Sequence, residues 1–122
     1  MPSRLEACFI ANATVLCTHQ IDAAYWHEWE LFLLPGGNQL NLLLNLPIVG
    51  SVFFAFGLVA SRSRHASKAH IYLAALGLLT VVLHTMFFVM GHTQFLQPVS
   101  LALLAATGVL STLQLVLVSA ER

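Results

Sequence analysis

A chain of 122 residues is long enough for one domain and not for two. Hydrophobic residues make up 58% of it and charged residues 8%, against roughly a quarter charged in an ordinary soluble domain, so a surface facing water is excluded. Five basic and five acidic residues balance to zero, which leaves no basic footprint for nucleic acid.

A spanning helix needs about 20 mostly apolar residues. Four stretches qualify, at about 5–34, 39–60, 70–90 and 96–119, and together they predict a single transmembrane domain over residues 1–122. The first stretch is the most polar. Arg4 is its only early positive charge, and the polar run Thr18 to Asp22 stands where a signal-peptide cleavage site is expected, so it reads as a retained helix. Cys8 and Cys17, nine positions apart, point to opposite helical faces and cannot pair with each other. Pro35-Gly36-Gly37 stops the first stretch, and Arg62 to Lys68 separates the second from the third. Gly91 to Gln94 makes the last turn, and Pro98 suits the first turn of the last helix.

Connections this short predict an all-α, up-down-up-down four-helix bundle. No repeat relates its halves, which leaves an inverted-repeat transporter without support. Arg62, Arg64 and Lys68 lie in the second loop, Arg4 and Arg122 at the termini, and the first and third loops carry no Lys or Arg. The positive-inside rule then predicts both termini in the cytoplasm, with Trp26 and Trp29 near the outer interface.

The informative segment runs from Thr18 to Glu30. Read as one continuous helix at about 100° per residue, Asn12, His19, Trp26 and Glu30 fall within about 40° of one another, with Asp22 at the edge of that face. Phe9, Ile10, Leu16 and Ile21 are then expected to face lipid, and His27 and Glu28 to be solvated at the surface. The second span offers Asn38, Asn41 and Asn45 in one sector. The third offers His70, Gly77, His84 and Gly91 at seven-residue spacing, with His92 near the outer end; the fourth offers Ser100, Thr107, Ser111 and Gln114. His65 and His70, beside the basic loop, are expected among the headgroups, and the Phe53-Phe54-Ala55-Phe56 and Phe87-Phe88 runs in lipid contact or packing.

With a rise of about 1.5 Å per residue, His19 and His84 each lie roughly 20 Å along their helices and Asn45 roughly 9 Å below the outer surface. His19, Asp22, Asn45 and His84 are thus predicted to meet in the outer half of the bilayer, under a polar mouth of Glu30, Asn38, Asn41 and His92. An Asp at that depth costs about 2.5–3.5 kcal/mol on insertion scales, so it turns inward and finds a partner. Polar residues between membrane helices also serve simply as glue, at about 0.6 kcal/mol each. There is no CxxC pair, no HExxH, no phosphate loop and no nucleophile elbow. One His-x-x-Asp without a second copy does not make a ferritin-like dimetal site.

The stretch His19-Gln20-Ile21-Asp22-Ala23-Ala24-Tyr25-Trp26-His27-Glu28-Trp29-Glu30-Leu31-Phe32, followed by Pro35-Gly36-Gly37, resembles the signature of an uncharacterised family of small bacterial membrane proteins of about four helices. That resemblance implies the topology and a bacterial origin and brings no assigned reaction; a multi-pass protein of the bacterial inner membrane is the expectation. A fainter likeness is to the emopamil-binding sterol isomerase superfamily, whose bundles place His and acidic residues in a lipid-accessible cavity; no residue roles are carried over from it.

Three readings of the polar seam follow. The first is a pocket for a lipid-soluble small molecule, or a docking seam for a larger membrane complex, lined by His19, Asp22, Trp26, Glu30, Asn41, Asn45, His84 and His92. The second is a haem b or a single metal ion held by His19 and His84, with Gly77 and Gly91 leaving room for a flat macrocycle. The third is an intramembrane enzyme that pairs Asp22 or Glu30 with His19 or His84 as acid and base on an apolar substrate.

Overall fold

The computed structural model describes residues 1–122, and every regular element in it is a helix: α1 (Arg4–Tyr25), α2 (Glu28–Leu31), α3 (Gly37–Ala60), α4 (Ala66–Val89) and α5 (Pro98–Ala120). Three of these, α3, α4 and α5, are long and apolar enough to cross a membrane, with mean hydropathies of 2.2, 2.0 and 2.1 over 24, 24 and 23 residues. At about 1.5 Å per residue each reaches roughly 35 Å, enough for a hydrocarbon core of about 30 Å. Their outward faces carry Phe53, Phe54, Val89 and Val109, each about two-thirds or more exposed, as expected where the surroundings are lipid.

α1 begins in a capping box, in which the Ser3 hydroxyl accepts from the Glu6 amide and the Glu6 carboxylate from the Ser3 amide. Glu6 also stands 3.9 Å from Arg62, which brings the chain's start and the α3–α4 turn to one end of the molecule. The helix packs on α5, α3 and α4 together. Because three neighbours cover it, Phe9 and Leu16, expected to face lipid, lie in the core with Val52, Ala55, Val59, Ala69 and Leu73. His70, expected among headgroups, is buried too, its ring edge-on to Phe9 at 5.4 Å.

The expected single helix through Glu30 is broken. α1 ends at Tyr25, the Trp26 amide donates back to the Asp22 carbonyl and the His27 amide to that of Ala24, and His27 takes a left-handed backbone (φ 53°) before the single turn of α2. The chain then crosses to α3 through Gly36 and Gly37, both at positive φ, where a side chain would be strained.

α4 packs tightly against α5. A β-carbon on Gly77 would collide with the hydroxyls of Ser111 and Thr107, so only glycine allows this spacing. Below that contact α1, α4 and α5 are joined by a chain of side-chain hydrogen bonds. Thr107 donates to Asn12 Oδ1 (2.8 Å), Asn12 Nδ2 donates to Ser111 (3.0 Å) and to Gln114 Oε1 (3.1 Å), and Gln114 Nε2 donates to His70 Nδ1 (3.0 Å).

Candidate metal centre

The break after Tyr25 decides what meets at the other end of the bundle. Counted along an unbroken helix, Glu28 lies nine residues and about 180° from His19, on the opposite face. With the left-handed turn at His27, α2 folds back and delivers the Glu28 carboxylate between His19 of α1 and His84 of α4. Glu28 Oε1 is 3.4 Å from His84 Nε2, and Oε2 is 4.0 Å from His19 Nε2. One ligand-type atom from each of the three lies within 4.8 Å of the other two.

The tautomer of His84 follows from its neighbours. Its Nδ1 is 2.8 Å from the Thr80 carbonyl, which can only accept, so Nδ1 carries the hydrogen and donates it. In the neutral ring Nε2 is then a bare lone pair. It is buried, has no hydrogen-bond partner, and faces a carboxylate oxygen at 3.4 Å. Two lone pairs set against each other away from water repel unless a proton or a metal ion stands between them. A ring fixed through Nδ1–H by a backbone carbonyl, with Nε2 aimed inward, is the usual outer support of a metal-bound histidine.

Glu28 lies outside the long helices. Its burial and, after that, the nearby negative charge of Asp22 push its carboxyl from 4.5 up to about 7. Asp22 keeps one buried oxygen without a partner. Aromatic rings close the outer side. Phe95, 1% exposed, packs 4.6 Å from the His84 ring and 5.6 Å from the His19 ring, and Phe87 packs 5.5 Å from His84.

On the inner side the cluster opens into a cavity of about 230 Å³ between α1, α3 and α4, roofed by α2. Glu28, His19, His84, Asn41 and Asn45 supply most of its polar lining, while Leu16, Leu44, Ile48, Val52, Leu76 and Leu79 supply apolar wall.

Of the residues expected at the site, His19, His84, Asn41 and Asn45 share this cavity, and Asp22 acts on it through Glu28. Three others lie away from it. Glu30 points outward, 68% exposed, and pairs with His27 at 3.7 Å, because the helix it was counted on ends five residues earlier. Trp26 packs edge-on to Tyr25, and His92 edge-on to Phe87. Glu28, read from the sequence as a surface residue, is the one that sequence reasoning missed. The signal that would have found it is a helix break at His27, and neither Gly nor Pro marks that position.

Residues 5–121 match DUF6713, described as a family of unknown function. The chain belongs to this family. No curated protein and no solved structure matches it. The DUF6713 match spans every element that contributes to the cluster, from α1 through α5, and the family carries no assigned activity. Roles for His19, Glu28 and His84 therefore rest on geometry.

Proposed function

We propose that this DUF6713 protein is a four-pass membrane protein of the cell membrane, with cytoplasmic termini, that binds one divalent transition-metal ion between His19, Glu28 and His84. The observation that carries the reading is the His84 ring, hydrogen-bonded outward to Thr80 with its buried, unpartnered Nε2 aimed at the Glu28 carboxylate.

The geometry suits a single small ion. Tetrahedral bonds of about 2.0–2.1 Å place neighbouring ligand atoms about 3.3 Å apart. The His84–Glu28 separation of 3.4 Å is already there, and the remaining gaps, none above 4.8 Å, close with small side-chain rotations. Two imidazoles and one carboxylate are the donor set of catalytic zinc sites and of facial ferrous sites, both of which keep an open coordination position. Haem is disfavoured: the His19 and His84 rings meet edge to face at 4.6 Å, which leaves no gap for a macrocycle between them.

The four-pass reading draws on α1, whose 22 residues run beside the three apolar spans, and on the Glu6–Arg62 pair, which keeps the basic loop and the N-terminus at one end. α1 carries His19 at a depth where an unneutralised polar group is costly, and a bound ion offsets that cost.

Elemental analysis of the protein purified in mild detergent, and again after loading with zinc or ferrous iron, tests the proposal. About one equivalent per chain is expected, lost in His84→Ala and in Glu28→Gln and retained in His70→Ala. A wild-type protein that stays metal-free after loading overturns it.

A further inference from the structure

The cavity beneath the cluster has three properties that together define an occupant. The first is where it opens. Most of its wall is buried or half-buried, but Leu44, Ile48 and Leu79 line it and are also 41%, 37% and 53% exposed on the outer surface. They belong to α3 and α4, two of the apolar spans, so the mouth lies on the face these helices turn to lipid. A molecule reaches the cavity from the hydrocarbon, between α3 and α4.

The second is size. About 230 Å³ is below the usual range of roughly 300–1,000 Å³ for pockets that enclose a whole drug-sized ligand. The space fits a head and the first part of a chain, with the remainder lying in the mouth among Leu44, Ile48 and Leu79.

The third is the polar lining, where Asn45 supplies a directional feature. Its Nδ2 donates to the Asn41 backbone carbonyl at 2.9 Å and to Asn41 Oδ1 at 3.1 Å. A backbone carbonyl only accepts, so the amide end of Asn45 is fixed toward Asn41 and its oxygen is the free end. That Oδ1 is buried and has no hydrogen-bond partner. A ligand head satisfying this cavity therefore carries an oxygen for the ion and a hydrogen for Asn45. Hydroxyl and hydroxamic groups meet both demands; an ether, an ester or a bare hydrocarbon does not.

We infer that the chain takes up a single-chain, lipid-soluble molecule with a hydroxyl-bearing head, which enters between α3 and α4, donates to Asn45 and fills the open position on the His19–Glu28–His84 ion. The inference rests on the metal-site reading above and adds to it the ligand class and the route of entry.

Decanohydroxamic acid is the probe, since it has one apolar chain, oxygens that bind metal ions and hydrogens to donate. The full chain is loaded with Co(II) in lipid nanodiscs, its metal content is measured, and the cobalt absorption band is followed during titration. Wild type is compared with Leu79→Trp, which plugs the mouth at a residue that does not ligate, and with Asn45→Val. Each comparison uses the same lipid, so partitioning of the probe into the bilayer cancels in the ratio. Both variants are expected to hold cobalt like wild type and to bind the probe at least about tenfold more weakly, the lower end of what a reshaped pocket produces. The short, water-soluble acetohydroxamic acid is expected to be weakened no less by Asn45→Val, but to depend little on Leu79.

A cobalt-loaded protein whose band does not respond to the probe overturns the ligand inference and leaves the metal site standing. So does a response that is equal in wild type and Leu79→Trp. A chain that holds no cobalt overturns the metal reading, and this inference with it.

Discussion

Two polar clusters are buried in this protein, and both tie α1 to the helices behind it. At one end Asn12, Thr107, Ser111, Gln114 and His70 form a chain of hydrogen bonds, and none of their buried polar atoms is left without a partner. At the other end His19, Glu28 and His84 converge, yet His19 Nδ1, His84 Nε2 and the neighbouring Asp22 Oδ2 are buried without a partner. Similar residue types and burial produce opposite accounts. The first cluster is complete, and its work is to hold helices together. The second keeps polar capacity that no side chain satisfies, and a bound ion is what the proposed metal site would supply. Burial alone does not mark a site among membrane helices; unsatisfied capacity at fixed geometry does.

If the complete cluster is glue, crowding it should cost stability and nothing else. Gly77→Val places carbon where Ser111 and Thr107 already bond to Asn12, so neither hydroxyl can give way without breaking a hydrogen bond. The expected loss is about 1–3 kcal/mol in mixed-micelle unfolding, with metal stoichiometry unchanged in the folded fraction. A parallel loss of metal affinity would mean that the two clusters are one coupled unit.

The complete cluster was also the more legible. Its residues lie on uninterrupted helices, so counting 100° per residue placed Asn12, Thr107, Ser111 and Gln114 on inward faces, where all four are buried. On α4 the seven-residue spacing likewise ran through the buried Gly77 and His84, but it also took in Gly91, which is exposed, and His70, expected among the headgroups, is buried. The same counting failed across Tyr25 to Glu28. A left-handed histidine has no reliable sequence signal, and one such residue moved Glu28 into the site and Glu30 out of it. Phe9 and Leu16 were misplaced for a different reason. A helix covered by three neighbours buries more than its polar stripe, and neighbour number is set by tertiary packing.

If the second cluster holds a metal ion, as proposed, a proton and the ion compete for it, which makes binding sensitive to pH. Glu28 has a folded-state value of about 7 against an ordinary 4.5. In metal-free protein its contribution to stability is fully present below the ordinary value, is lost as pH rises toward about 7, and changes no further above that. Metal binding runs the other way, because the ion must displace the proton. Zinc affinity is expected to climb about tenfold per pH unit up to about 7 and then level off as far as Glu28 is concerned. Isothermal titration across pH 6 to 8, on wild type and on Asp22→Asn, measures this. Removing the Asp22 charge should move the bend in the curve to lower pH, since that charge adds to the rise at Glu28.

The smallest effect bears most directly on why the second cluster is left incomplete. Without a metal and above about pH 7, Glu28 is a buried carboxylate that repels Asp22 and faces an imidazole lone pair. Replacing such a group with an apolar one of similar size is often neutral or stabilising, because the desolvation cost disappears with the charge. Glu28→Leu should therefore stabilise the metal-free protein by about 1 kcal/mol in mixed-micelle unfolding, while abolishing the gain that zinc gives wild type. The matching change in the complete cluster, Asn12→Leu, should destabilise the protein whether or not zinc is present, because it strands Thr107, Ser111 and Gln114 together. Opposite signs in the two clusters would separate a site maintained at a cost in stability from a joint maintained for stability. A destabilising Glu28→Leu in metal-free protein would place both clusters in the second class.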